Sequence, residues 1–178
     1  RIRLWSPQVD HIQTVVEVPG YVCGLAVGRD HIAGFRGEVP TGSNFCRTTL
    51  TGARFFWISR DGGEVREGQV LPAEAMLARG LSTTDTFTAA QTVLPTGRGI
   101  PHNERIHVTL IRHSDGKMRQ FLMPAGYSMG NTTVALDDDY LYLTRWNSTP
   151  GDSSFDRVLR YRLDLFDEIG IPYPPEDD

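Results

Sequence analysis

Side chains that could bind a metal or transfer protons are densest between residues 102 and 113. His102 and Glu104 lie in a loop-like stretch, and His107 and His113 follow in a segment with a strand-like pattern. On a strand, two residues six positions apart lie on one face but about 20 Å from each other. His107 and His113 therefore cannot share a metal ion. We expect polar loop residues here and keep His102 and Glu104 as candidate ligand-binding residues.

Arg36 and Arg145 form a second candidate binding set, because they hold equivalent positions in two similar segments and Trp146 follows the second. An arginine beside an aromatic ring suits the recognition of carboxylates or sugars. The same side chains also serve as structural contacts between neighbouring sheets. Both interpretations stay open.

The acidic run at 137–139 offers carboxylate oxygens of the kind that Ca²⁺ binds. It lacks the spacing and the distal glutamate of an EF-hand loop, and the equivalent stretch 28–30 has one carboxylate. We expect a solvated turn and no cofactor, with Ca²⁺ as the alternative. The HExxH, P-loop and CxxC motifs do not occur in the sequence.

Cys23 and Cys46 flank one predicted hairpin. A disulfide is one interpretation, and two small buried hydrophobic side chains are the other. Residues 131–133 and 147–149 match the acceptor pattern for N-glycosylation. These features favour an extracellular or secreted location.

Composition restricts the class of protein. The chain has 178 residues, 39% of them hydrophobic, and a formal net charge of −4, which is typical of a soluble globular protein. No apolar run approaches the roughly 20 residues that span a bilayer. The negative charge argues against nucleic acid as a partner, because binding of the phosphate backbone requires a basic face. Arg160 and Arg162 would share one face of a strand, and a solvated outer face explains them.

An internal repeat of roughly fifty residues supplies the elements that would position these side chains. Three strand-like segments end in an apolar residue followed by proline, at Pro19, Pro72 and Pro124, which are 53 and 52 residues apart. Such a period is typical of solenoids, propellers and arrays. The alternative is an ordinary β-sandwich without duplication.

The repeat can be aligned most clearly near its two ends. Residues 25–36 align with 134–145, and both read apolar run, polar turn, apolar run, which predicts a β-hairpin. Residues 54–61 align with 157–164, and 106–116 is the middle copy. Each unit is therefore predicted to be a four-stranded antiparallel sheet.

The middle unit departs from this pattern. Between Pro72 and Pro101 no hairpin is recognisable. Residues 73–79 instead predict a short helix, closed by Gly80 as its C-terminal cap.

Two segments carry a resemblance to a known group of proteins. Residues 23–27 (CGLAV) and 131–144 (NTTVALDDDYLYLT) resemble blade motifs of the gluconolactonase, strictosidine-synthase and NHL group of β-propellers. The resemblance implies a propeller fold. For the gluconolactonases it also implies an asparagine metal ligand at the start of this strand, and Asn131 is the position that approximates it.

The length of the repeat predicts an incomplete ring. The chain holds about three units, whereas closed propellers typically have four to eight blades. We predict an all-β, propeller-like domain over residues 1–170, which is either a fragment of a larger propeller or completed by association, and a proline-rich acidic tail over 171–178. Because exposed sheet edges are normally covered, the expected partners are other polypeptide chains or further blades of the same precursor.

The leading functional hypothesis is a non-catalytic, propeller-like module for binding or assembly through protein–protein interaction. The first alternative is a lactonase-like hydrolase or lyase with a metal site, using Asn131, His102 and Glu104. The second alternative is a structural subunit of a larger particle.

Overall fold

The computed structural model describes residues 2–6, 11–38, 51–70, 76–93, 106–122, 134–145 and 157–173. Within these residues the chain forms fourteen β-strands and one turn of 3-10 helix. Among them, no helix has the length and apolarity that a membrane crossing requires.

Strands β1 (Ile2–Ser6) and β2 (His11–Val16) pair with each other. The first unit contains β3 (Tyr21–Val27), β4 (His31–Glu38), β5 (Thr51–Ser59) and β6 (Arg66–Val70). The second unit contains β7 (Met76–Thr83), β8 (Phe87–Val93), β9 (Ile106–Arg112) and β10 (Met118–Leu122). The third unit contains β11 (Val134–Leu136), β12 (Tyr140–Arg145) and β13 (Arg157–Arg162), followed by the 3-10 helix (Leu163–Leu165) and β14 (Ile171–Tyr173).

Each unit is an antiparallel sheet whose strands follow chain order, from β3 to β6, from β7 to β10 and from β11 to β13. The first strand of the second unit, β7, contacts both β3 and β11. The sheets thus stack face to face with their first strands adjacent, as in a propeller. The predicted all-β, propeller-like fold class is confirmed.

Backbone hydrogen bonds repeat from unit to unit. In each unit one backbone hydrogen bond closes the turn of the first hairpin. The N–H of Gly28 donates to the carbonyl of His31 at 2.7 Å, that of Thr84 to Phe87 at 2.8 Å, and that of Asp137 to Tyr140 at 3.1 Å. In each unit the residue that follows the third strand donates its N–H to the carbonyl oxygen of the last residue of that hairpin turn. The pairs are Arg60 with Asp30, His113 with Thr86, and Leu163 with Asp139. These bonds confirm the predicted alignment of 25–36 with 134–145 and of 54–61 with 157–164.

Three apolar layers separate the four sheets. Between β1–β2 and the first unit lie Ile2, Val18, Ile32, Phe56 and Ile58. Between the first and second units lie Ala33, Phe35, Ala53, Phe55, Trp57, Ala90, Ile111 and Met118. Between the second and third units lie Phe87, Ala89, Val108, Leu110, Phe121, Val134, Leu141, Leu143, Leu163 and Phe166.

The middle unit corrects one prediction. Its first hairpin exists, formed by β7 and β8, so the helix predicted over residues 73–79 is wrong for the described residues from Met76 onward. Gly80 has φ +103° and lies where the pairing register shifts between Leu77 and Leu81. The glycine therefore forms an irregularity within a strand and does not cap a helix.

The third unit also differs from the prediction, because three of its strands are described instead of four. After β13 the chain turns through the 3-10 helix, and β14 pairs with β10 at the outer edge of the second unit. The first three residues of the predicted tail are therefore a sheet strand, and residues 174–178 lie outside the described part of the chain.

Candidate functional site

The turns of the first and second units meet at one end of their sheets and enclose a cleft of about 340 Å³. Its wall includes His31, Trp57, Arg66, Asp85, His113 and Ser114. We define this set as the inter-unit cleft.

His113 follows β9 and is 6% exposed. Its Nδ1 lies 3.0 Å from the carbonyl oxygen of Asp85, and its Nε2 lies 2.8 Å from the hydroxyl of Thr88. Because a carbonyl only accepts, Nδ1 carries the proton and Nε2 accepts from Thr88. The ring also stacks on Trp57, with centroids 5.1 Å apart. Both ring nitrogens are thus occupied.

Burial lowers the pKa of His113 to about 4, so the imidazole is neutral near pH 7. A neutral imidazole with both nitrogens bonded has no lone pair left for a metal or a substrate proton. The chemistry open to His113 is therefore structural: it connects the β7–β8 turn to β9 and supports Trp57.

The side chain of Asp85, in the β7–β8 turn, reaches across to the first unit. Its Oδ1 accepts a hydrogen bond of 3.0 Å from the backbone N–H of Asp30, which lowers the pKa of the carboxyl group. The same oxygen lies 3.6 Å from Nδ1 of His31. Asp85 thus contacts two consecutive residues, Asp30 and His31, where the β3–β4 turn leads into β4.

The first turn needs this contact because it has no acceptor of its own. In the third unit, Oδ1 of Asp137 accepts from the N–H groups of Asp139 at 2.9 Å and of Tyr140 at 2.7 Å. The equivalent first-unit residue, Gly28, has no side chain. Asp85 of the second unit gives the first turn the carboxylate acceptor that Asp137 provides within its own turn in the third unit.

Gly28 also permits the close approach of the two units. A Cβ at this position would lie 3.3 Å from the carbonyl oxygen of Thr83 and 3.4 Å from its Cγ2. A side chain that could cap the first turn would therefore be crowded by Thr83 of the second unit.

A second cleft, of about 670 Å³, lies between the second and third units. Arg112 lines both clefts, and carboxylates hold its guanidinium: Asp115 Oδ2 at 2.6 Å and Asp167 Oδ2 at 2.9 Å. The guanidinium also lies 4.4 Å from the ring centroid of Phe166. These partners leave Arg112 little capacity to bind a free anion.

In the part of the chain that the structure describes, no group of three or more His, Cys, Asp or Glu residues is arranged to hold a metal ion. At the acidic run 137–139, the carboxylate of Asp137 is engaged by its own turn and by the hydroxyl of Tyr142 at 2.7 Å. The calcium alternative stays a prediction.

Arg36, one of the predicted ligand-binding residues, lies in β4 and is half-buried. Its Nε donates to Oε1 of Glu67 at 2.5 Å, and Nη1 of Arg54 donates to Oε2 of the same carboxylate at 3.2 Å. These ion pairs join strands of one sheet, whereas the structural interpretation expected a contact between neighbouring sheets. The side chain of Arg36 is 23% exposed, and its predicted role stays a prediction.

The other predicted site residues lie partly or wholly outside the described residues. The backbones of Cys23 and Arg145 lie in β3 and β12, and their side chains are outside the described residues. Five further candidates lie wholly outside them: Cys46, His102, Glu104, Asn131 and Trp146. Their predicted roles, and the disulfide, stay predictions.

Trp57 and Asp85 were missed as site residues. A sequence signal existed for Asp85, since aligning the three turns shows a capping side chain at Thr84 and Asp137 and none at Gly28. The sequence also contains a GxSxG pattern at 126–130, and this stretch lies outside the described residues.

No family model matches the chain, and a search of curated proteins found no significant match. Among solved structures, two variants of the Synechocystis apocarotenoid oxygenase are similar, at 11% and 12% identity and TM-scores of 0.41 and 0.42. An ACO/RPE65 chimera is similar at 10% identity and a TM-score of 0.39. The matches cover 82% of this chain, which spans 36% of the length of each of those chains. The resemblance to the gluconolactonase, strictosidine-synthase and NHL group stays a prediction.

Proposed function

We propose that this chain is a propeller-like module for binding or assembly that associates with a second polypeptide along β3. The observation that supports the proposal is the exposure of three large side chains on this strand. Tyr21 is 62% exposed, Leu25 48% and Val27 58%. In the isolated chain, the second polypeptide is another copy.

Two of these side chains continue a buried apolar layer. Leu25 pairs with Gly34 and Val27 pairs with Ile32, and directly paired residues share a face of the sheet. Ile32 lies in the layer beneath β1–β2 and is 1% exposed. Leu25 and Val27 thus lie at the uncovered margin of that layer. Covering each of them contributes on the order of 1 kcal/mol to the free energy of association.

The backbone of β3 is also open to pairing. Among the described strands β3 pairs with β4 alone, so it is the edge strand of the first unit. An edge strand that carries exposed apolar side chains is a template for another chain unless it is covered. An apolar face and an open edge on one strand together favour protein–protein association.

The two alternatives have different support. The lactonase-like hydrolase depends on Asn131, His102 and Glu104, which lie outside the described residues, and no described contact favours it. The structural-subunit alternative would use the same β3 surface, and it differs from the leading proposal only in the identity of the assembly.

Sedimentation equilibrium over a range of concentrations tests the proposal. The 19.9 kDa chain is expected to associate, and Val27→Glu is expected to return it to a monomer because the charge would be buried in the contact. Val70→Glu is the matched control, since Val70 is 45% exposed on β6 at the other edge of the same sheet. A monomer at every concentration, or association that Val27→Glu leaves unchanged, would contradict the proposal.

A further inference from the structure

The third sheet has one face that no described element covers. Leu141, Leu143 and Leu159 point toward the second unit. The alternate residues lie on the opposite face of the sheet, which we define as the outer face: Tyr140, Tyr142, Val158, Arg160 and Arg162. Tyr140 and Arg162, at the turn end of this face, also line the second cleft. Val158 on this face is 64% exposed.

The equivalent positions in the other units are buried and apolar. Phe55 and Trp57 of the first unit pack against the second unit, and Val108 and Leu110 of the second pack against the third. The hydrogen bonds of Arg60, His113 and Leu163 are equivalent in the three units. Counting back from them, Val158 corresponds to Phe55 and Val108, and Arg160 corresponds to Trp57 and Leu110. In the third unit an exposed arginine therefore stands where the others have a buried tryptophan or leucine.

The neighbouring strand shows the same change. The first two units have Ala33 and Ala89 at the position that Tyr142 occupies in the third, and both alanines are 0% exposed. Small residues let the next sheet pack closely, whereas Tyr142 fills that space. The outer face is thus suited to a different contact from the two apolar layers within the chain.

Contacts within the outer face hold its cationic group in place. The guanidinium of Arg160 lies 4.5 Å from the ring centroid of Tyr140, and the rings of Tyr140 and Tyr142 are 6.0 Å apart. Tyr142 donates its hydroxyl to Asp137. A guanidinium stacked on an aromatic ring keeps its N–H groups directed outward, where they match the two oxygens of a carboxylate. Tyrosine and arginine are also the residues enriched at binding hot spots.

We propose that the outer face docks an acidic segment of another polypeptide, with Arg160 binding a carboxylate and Val158 contacting an apolar side chain. This inference rests on the proposed function and names a second surface and the chemistry of its partner. Nucleic acid fits less well, because the carboxylate of Asp164 already binds the guanidinium of Arg162, and the outer face therefore does not offer the row of cations that a phosphate backbone requires.

Fluorescence anisotropy with two labelled eight-residue peptides tests the proposal, one alternating Glu and Thr and the other alternating Lys and Thr. The Glu peptide is expected to bind, more weakly as salt is raised, and Arg160→Gln is expected to lower its affinity about tenfold. Arg29→Gln is the control, because Arg29 is exposed in the first-unit turn and is expected to leave binding unchanged.

Three outcomes would overturn the proposal: no binding of the Glu peptide, equal binding of the Lys peptide, or binding that Arg160→Gln leaves unaltered. An oligothymidylate that displaces the Glu peptide at lower concentration would assign the face to nucleic acid instead. Val27→Glu changes the β3 surface and is expected to leave peptide binding intact, so the two proposals fail separately.

Discussion

The carboxylate of Asp85, in the second unit, accepts a hydrogen bond of 3.0 Å from the backbone N–H of Asp30, in the first unit. The equivalent N–H of the third unit, that of Asp139, is bonded within its own turn by Asp137. One side chain therefore both completes a turn and joins two units.

Replacing Asp85 is expected to loosen this junction. Asp85→Ala removes the acceptor, so the amide of Asp30 should exchange its hydrogen faster and the melting temperature should fall. Asp85→Asn keeps an acceptor oxygen and should have the smaller effect. Asp138→Ala, at an exposed turn position of the third unit, is the control, and an effect as large as that of Asp85→Ala would contradict the account.

The same bond makes stability depend on pH. Since it lowers the pKa of Asp85, the stabilisation is present above the ordinary carboxyl pKa and is lost as pH falls through the lowered value of the folded state. Urea unfolding of wild type and Asp85→Asn should therefore converge at acid pH. A difference of unchanged size once the carboxyl group of Asp85 is protonated would argue against the carboxylate as its source.

His113 is expected to make a second acid-sensitive contribution to the free energy of unfolding, because its burial disfavours the protonated imidazole. Its folded-state pKa of about 4 lies below the ordinary histidine value, so the unfolded chain binds the proton more readily between pH 6.5 and 4. The free energy of unfolding should fall over that interval, by about 3 kcal/mol from this group. NMR titration of the His113 ring measures the pKa directly, and titration near 6.5 would refute the buried, neutral assignment.

Gly34 in β4 is expected to tolerate no side chain. A Cβ there would lie 2.6 Å from the carbonyl oxygen of Gly24 and 2.9 Å from Cζ of Phe56. A Cβ at Gly68 would also meet an atom at 2.6 Å, but this is Cδ1 of Ile111, a side-chain end that can rotate. Gly34→Ala should therefore cost about 2–3 kcal/mol and Gly68→Ala less. Chemical denaturation compares the two, and equal costs would be inconsistent with the close backbone approach.

A double-mutant cycle on Arg36 and Glu67 measures whether their ion pair stabilises the first unit. If the ion pair is structural, Arg36→Ala and Glu67→Ala should couple by about 0.5–1 kcal/mol in unfolding free energy. Coupling near zero would contradict a stabilising role for the ion pair. Arg54→Ala is the comparison, because Arg54 binds the other oxygen of Glu67.

Much of the fold could be predicted because its turns recur at fixed offsets. The alignment of Gly28 with Asp137 needed only the polar turn between two apolar runs. The middle hairpin escaped prediction because β7 carries a helix-like run of alanine, methionine and leucine, and pairing with β8 outweighs that local preference. The three-stranded third unit could not be foreseen either, since the pairing of β14 with β10 depends on where the chain turns after β13.

The candidate site was less accessible from sequence. Asp85 and Asp30 are 55 positions apart and belong to different units, so no local spacing connects them. The burial of His113 was equally hidden, because its partners Thr88 and Trp57 lie on other strands.

Hydrogen–deuterium exchange followed by mass spectrometry tests the central claim of association along β3 most directly. Raising the protein concentration is expected to slow exchange over residues 21–27, and Val27→Glu is expected to abolish that slowing while Val70→Glu preserves it. Exchange at β3 that does not change with concentration, or protection confined to another strand, would contradict the claim.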